Sequence, residues 1–137
     1  MNRSDLQKLA KLRLIEAKIL LEHKQYSGAY YLAGYSIECA LKACIAKQVR
    51  KFDFPDKHLA HDSYTHDLQK LLKLAGLQPI HQRYCIENPI FKANWEVVKD
   101  WNEKSRYQKF GMQAANDLYL SIVDNENGIL LWLEQHW

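Results

Sequence analysis

The chain has 137 residues, of which 47% are hydrophobic and 26% charged, and it carries a formal net charge of +3. That length predicts a single domain over residues 1–137 with one core. Five glycines and three prolines are too few for a turn-rich β fold, and a pI near 8.7 falls short of the concentrated basicity of a dedicated nucleic-acid domain.

The first predicted helix spans about residues 5–24. Ser4 and Gln7 fit a capping box, S-x-x-Q. Leu6, Leu9, Ala10, Leu14, Ala17, Leu20 and Leu21 form one broad apolar face, and Leu12, Ile15 and Ile19 form a second stripe roughly opposite it. A helix with two apolar stripes touches protein on both sides, so Leu12, Ile15 and Ile19 are the expected dimer interface. A break at Tyr26-Ser27-Gly28 separates it from a second long helix, about residues 28–49, and the short connection predicts an antiparallel hairpin.

The segment SGAYYLAGYSIECALKACIAK, residues 27–47, holds apolar residues on nearly every face. It reads as a central helix wrapped by others. Its one polar line is Tyr31, Tyr35, Glu38 and Lys42, with Glu38 and Lys42 in the favourable i,i+4 order. These two are either an exposed ion pair or part of a partly buried polar centre, and the scarcity of exposed surface on this helix favours the centre. A buried charge must be paired, and Arg106, whose fork matches a carboxylate, is the expected outside partner.

Residues 50–63 form one long polar connection. Thr65 is the expected cap of a short helix that carries Asp67 in its first turn, presents Leu68, Leu71, Leu72 and Ala75, and stops at Gly76. His66, at the start of that helix, is either a general-base candidate or simply part of a helix start. A short helix is expected over residues 79–86, and Asn88-Pro89 opens the next, with Trp95, Val98 and Trp101 on one face. Ser105-Arg106-Tyr107 falls in a break. Helices from about Gly111 to Val123 and from about Glu126 onward finish the chain. The prediction is therefore an all-α up-down bundle of about five or more helices around the hairpin 5–24 / 28–49.

His58 and His61 form His-x-x-His, but no further ligand completes a zinc spacing, so no metal and no cofactor are expected. The tryptophans, at helical spacing, are expected in the core rather than as base-stacking platforms. Cys39, Cys44 and Cys85 are odd in number and lack C-x-x-C spacing, which suits reduced core residues of a cytoplasmic protein. The N-terminal residues MNRSDLQKLAK lack the apolar stretch of a signal peptide, and no apolar run approaches the ~20 residues of a membrane span.

GAYYLAGYSIECALKACIAK, then THDLQKLLKLAGL, then W-x5-W-x4-RY (Trp95, Trp101, Arg106, Tyr107), resembles the HEPN superfamily, and more narrowly its small bacterial stand-alone proteins, over about residues 5–135. The resemblance implies a helical bundle, commonly a homodimer, linked to nucleotide and nucleic-acid biology. It implies a nucleotide- or RNA-associated binding module working with a minimal nucleotidyltransferase in a toxin–antitoxin-like or defence system. The alternatives are a divergent metal-independent endoribonuclease and a helical interaction module without ligand. Ribonuclease members carry Arg, four to six residues, then His. None of Arg3, Arg13, Arg50, Arg83 or Arg106 has a histidine at that spacing, so a ribonuclease here would have to pair His66 with Arg106. The binding reading instead places its ligand or polar centre at Tyr31, Tyr35, Glu38, Lys42, Asp67 and Tyr107.

Overall fold

In the computed structural model, which describes residues 1–49 and 57–137, eight α-helices and one 3₁₀ segment follow one another, and no strand occurs among the described residues. Residues 50–56, which include most of the predicted polar connection before His58, lie outside the described residues.

Helix α1 runs Arg3–Glu22. Asn2 is its cap, accepting from the Asp5 amide while Asp5 accepts from the Asn2 amide. Two overlapping capping patterns exist here, and the reciprocal Asn2–Asp5 pair prevails over the expected Ser4–Gln7 because both of its members reach a free amide. Ala10, Leu14 and Ala17 face inward, whereas Leu12, Ile15 and Ile19 stay about half exposed, at 47%, 59% and 50%. The chain's own C-terminal helix therefore does not cover the second stripe.

Lys24, with φ of 60°, turns the chain into α2, Tyr26–Lys47. Its middle is buried almost all round, from Ala33 through Cys39 to Ile45. It contacts α1, helix α4 (Leu68–Leu74), helix α7 (Met112–Val123), helix α8 (Ile129–Glu134) and the 3₁₀ segment (Glu103–Tyr107). A helix so enclosed has no solvent face to make polar, which explains its composition. The Ser36 hydroxyl satisfies itself by donating to the Ala10 carbonyl at 2.8 Å.

Helix α3 covers Lys57–Asp62, inside the predicted polar connection. Asp67, rather than Thr65, caps α4, accepting from the Gln69 and Lys70 amides; Thr65 Oγ1 accepts from the Asp67 amide one step earlier. Gly76, with φ of +71°, ends that unit in the left-handed conformation that favours glycine. Helix α5 (Gln78–Glu87) and helix α6 (Pro89–Val98) follow, with Phe91, Trp95 and Val98 buried. Trp95, Trp101 and Trp132 belong to the core, and Trp137 packs on its edge. The last helix is shorter than expected because Asp124 binds the Glu126 and Asn127 amides in a turn, delaying the helix start to Ile129.

Trp101 lies flat against α2 at Gly34. A Cβ at Gly34 would sit 2.2 Å from the indole Cδ1. This glycine sets how closely the 3₁₀ segment can approach the central helix, and so places the residues described next.

Candidate functional site

Helix α2 carries Tyr31, Tyr35, Glu38 and Lys42 as one line. Tyr31 and Tyr35 stack with centroids 6.1 Å apart, and Tyr31 also lies 5.9 Å from the Trp101 ring. Glu38 is only 2% exposed. Its Oε2 accepts from Lys42 Nζ at 3.4 Å, and its Oε1 lies 2.8 Å from His66 Nδ1. The Thr65–Asp67 turn that caps α4 delivers the imidazole to this carboxylate.

The other ring nitrogen, Nε2, lies 3.1 Å from Glu103 Oε2 in the 3₁₀ segment. His66 thus bridges a buried carboxylate of α2 and a half-exposed carboxylate of the segment behind Trp101. Ionised carboxylates only accept hydrogen bonds, so both contacts are satisfied when the imidazole carries both protons. Such charge-assisted bonds are roughly twice as strong as neutral ones. Lys42 supplies a positive group on its other oxygen, so both oxygens of buried Glu38 have partners.

Beside His66 opens a cleft of about 420 Å³. One wall is the 65–69 turn with Asp67 and Gln69; the other is the 99–104 stretch with Lys99, Asn102 and Lys104, and Trp101 also lines it. Lys99 is partnered by Glu96 at 2.7 Å. On the far side of Glu38 a second cleft, also about 420 Å³, is bounded by Leu6, Tyr35, Lys42 and Tyr64. Glu38 and Lys42 line this second cleft, while the partner of Glu38, His66, lines the first.

Of the six residues expected at the polar centre, Glu38 and Lys42 pair with each other, Tyr31 and Tyr35 continue their line and Asp67 is the adjacent cap, whereas Tyr107 is 78% exposed and lies outside it; His66 joins Glu38 instead. The outside partner of Glu38 is His66, not Arg106. Glu103 is the member of the 3₁₀ segment that reaches inward, while the Arg106 guanidinium stays exposed and lies 4.8 Å over the exposed Tyr107 ring. Arg106 lies three residues along the same 3₁₀ segment from Glu103. Glu103 was absent from the sequence reading. In sequence it is one surface carboxylate among sixteen acidic residues, and only its place two residues after a buried tryptophan hints at its role. Among the described residues no group of three or more histidine, cysteine or acidic side chains is arranged to hold a metal ion.

The all-helical bundle, the enclosed second helix and the polar centre now meet an independent observation: the family model for the HEPN domain matches residues 4–135. The chain belongs to the HEPN domain family. Searches of curated proteins and of solved structures return no match. The HEPN match runs from the first turn of α1 to just past α8, so both walls of the His66 cleft and both sides of Glu38 are parts of the HEPN domain itself. No helix among the described residues of this HEPN protein is long and apolar enough to cross a membrane.

Proposed function

We propose that this HEPN protein is a cytoplasmic nucleotide- or RNA-associated binding module, one folded domain that works as a homodimer beside a nucleotidyltransferase-type partner in a toxin–antitoxin-like or defence system. The observation that carries the binding reading is the state of His66. Both of its nitrogens are engaged by carboxylates, at 2.8 and 3.1 Å, so neither is free to take a proton from a substrate hydroxyl. An imidazole tied up this way, on the same cleft of about 420 Å³ as Lys104, suits holding a ligand rather than activating a nucleophile. The exposed stripe of Leu12, Ile15 and Ile19 supports the homodimer.

One observation favours the ribonuclease reading. Arg106 belongs to the same 3₁₀ segment as Glu103, the residue that grips His66. Loss of the Glu103 contact on substrate binding would free Nε2 beside the segment that carries this arginine.

Titration of ATP and of a short single-stranded oligoribonucleotide separates these. The binding module gives an affinity that falls as salt rises, weakens in a Lys99→Ala, Lys104→Ala double variant, and shows no turnover above a His66→Ala control. Cleavage in EDTA that leaves cyclic phosphate ends, and that disappears in His66→Ala and in Arg106→Ala, establishes the ribonuclease instead. Absence of binding at millimolar nucleotide leaves a helical interaction module.

A further inference from the structure

A third cleft, about 400 Å³, opens between α4, α5 and α6, away from Glu38. Its unusual member is His81, which is only 5% exposed. The imidazole stands edge-on among Phe91, Trp95 and Trp132, with centroids 5.6, 4.7 and 5.3 Å away. Its nearest polar neighbour is the Cys85 sulfur, 3.8 Å from Nδ1 and 3.9 Å from Nε2. Near-equal distances to both nitrogens mean that the sulfur is directed at neither one. No oxygen or nitrogen partner reaches this ring among the described residues. Buried polar side chains nearly always have such a partner, and leaving one without it is costly.

The surroundings say what kind of partner would fit. Burial pulls the His81 pKa down to about 4, so the ring is neutral at pH 7 and offers one donor and one acceptor. Burial, then Glu96, pushes the Cys85 thiol up, so it too stays neutral. Lys92 and Glu96, of opposite charge at i,i+4, both line the cleft and leave it no net charge. Trp95 adds an aromatic surface. Gln69, Gln78 and Gln82 complete the lining, each with an amide that both donates and accepts. A cleft with an aromatic wall, a neutral imidazole and three amides, and no net charge, suits a flat uncharged ring that carries donors and acceptors on its edge.

We infer that this cleft binds a neutral heteroaromatic ring of the nucleobase class, with His81 and the glutamine amides reading its edge. The inference rests on the nucleotide reading above and deepens it. Gln69 lines this cleft and the His66 cleft alike, so the two adjoin, and a base here can belong to a ligand whose phosphate lies near His66 and Lys104.

Cys85 is a built-in reporter. Cys39 and Cys44 are buried, with thiols pushed up to about 11 and about 12, whereas Cys85 is half-buried at the cleft. Alkylation of the folded protein by iodoacetamide, followed by mass spectrometry, therefore reads Cys85. Adenosine, guanosine, cytidine and uridine are added separately at millimolar concentration, with ribose 5-phosphate as control. The expected result is that at least one nucleoside slows Cys85 alkylation 5-fold or more while ribose 5-phosphate does not. Gln78→Leu and Gln82→Leu, both at exposed positions, should raise the protecting concentration about 2- to 10-fold or change the order of the bases, the worth of one hydrogen bond. The inference is overturned if no nucleoside protects, or if ribose 5-phosphate protects equally. Salt-sensitive nucleotide binding that needs Lys99 and Lys104, without nucleoside protection, removes the base cleft and keeps the proposed function. Nucleoside protection with salt-independent nucleotide binding does the reverse.

Discussion

Replacing His81 by phenylalanine should change how stability depends on pH. In the folded protein burial holds the His81 pKa at about 4, against 6.5 for an ordinary histidine. Between those values the unfolded chain binds a proton that the folded protein refuses. The unfolded state then holds more protons, so stability is complete above pH 6.5 and is lost as the pH falls toward 4. At about 1.36 kcal/mol per pH unit, the gap corresponds to roughly 3 kcal/mol lost by pH 4. For a chain of this size that lowers the melting temperature by roughly 10 °C. Phenylalanine keeps a ring edge-on to Phe91, Trp95 and Trp132 but cannot titrate. Thermal unfolding by circular dichroism at pH 7, 6, 5 and 4 should therefore show a smaller loss for His81→Phe than for the wild type. Taking the difference between the two proteins cancels the other titrating groups, including His136, whose pKa burial also lowers, and the Glu38–His66–Glu103 set. Parallel losses in the two proteins would refute the claim that His81 is buried neutral without a strong partner.

Three further outcomes follow from the packing. Gly34→Ala should cost about 1–3 kcal/mol by overpacking, since its Cβ would meet the Trp101 indole at 2.2 Å, and chemical denaturation should show a lowered midpoint with an unchanged slope. Glu38→Gln should cost about 3 kcal/mol, the lower end for breaking a buried ion pair because Lys42 and His66 both reach water, whereas Glu16→Gln on the surface should change stability by less than about 0.5 kcal/mol; equal melting temperatures would return Glu38 to an ordinary helix pair. Light scattering should give a dimer of the 16.2 kDa chain that Ile15→Asp converts to monomer, since burying three aliphatic side chains contributes ~1.5–3 kcal/mol each and a carboxylate there forfeits more than it leaves; a wild-type monomer at micromolar concentration refutes this.

What the sequence disclosed follows the range of the forces involved. The enclosed α2 was legible because its composition reports burial on every side, and the Trp95–Val98–Trp101 face because helical spacing is local. Glu38 and Lys42 stood out because charges on such a helix need partners. The caps at Asn2 and Asp67 were each misplaced by two residues because neighbouring side chains offer competing patterns, and the choice depends on which amide the fold leaves free. Arg106 was the wrong partner for Glu38, and Glu103 was invisible, for one reason. Helix spacing says nothing about which face of a separate short segment turns inward. That choice is made by Trp101 docking on Gly34, a contact between residues 67 positions apart in sequence.

The same docking explains why the site is built around a bridging histidine. Seating the 3₁₀ segment on α2 leaves Trp101 Nε1 and Ser105 Oγ buried without hydrogen-bond partners among the described residues. Each such group costs about 1–3 kcal/mol. The segment gains burial of the Trp101 side chain in return, worth roughly 1.5–3 kcal/mol on the scale of large apolar side chains. Together the two orphaned groups cost about 2–6 kcal/mol, enough to offset that gain, so the segment is not held by packing alone. A polar tie to the rest of the site is the Glu103–His66–Glu38 bridge, whose inner end is fixed in the core and whose outer end is half exposed. A bridge with one fixed and one solvent-reachable end is the place where an incoming anion competes most directly. On the proposed binding reading, a phosphate that took His66 from Glu103 would leave the Glu38 contact intact, and the buried charge would stay paired.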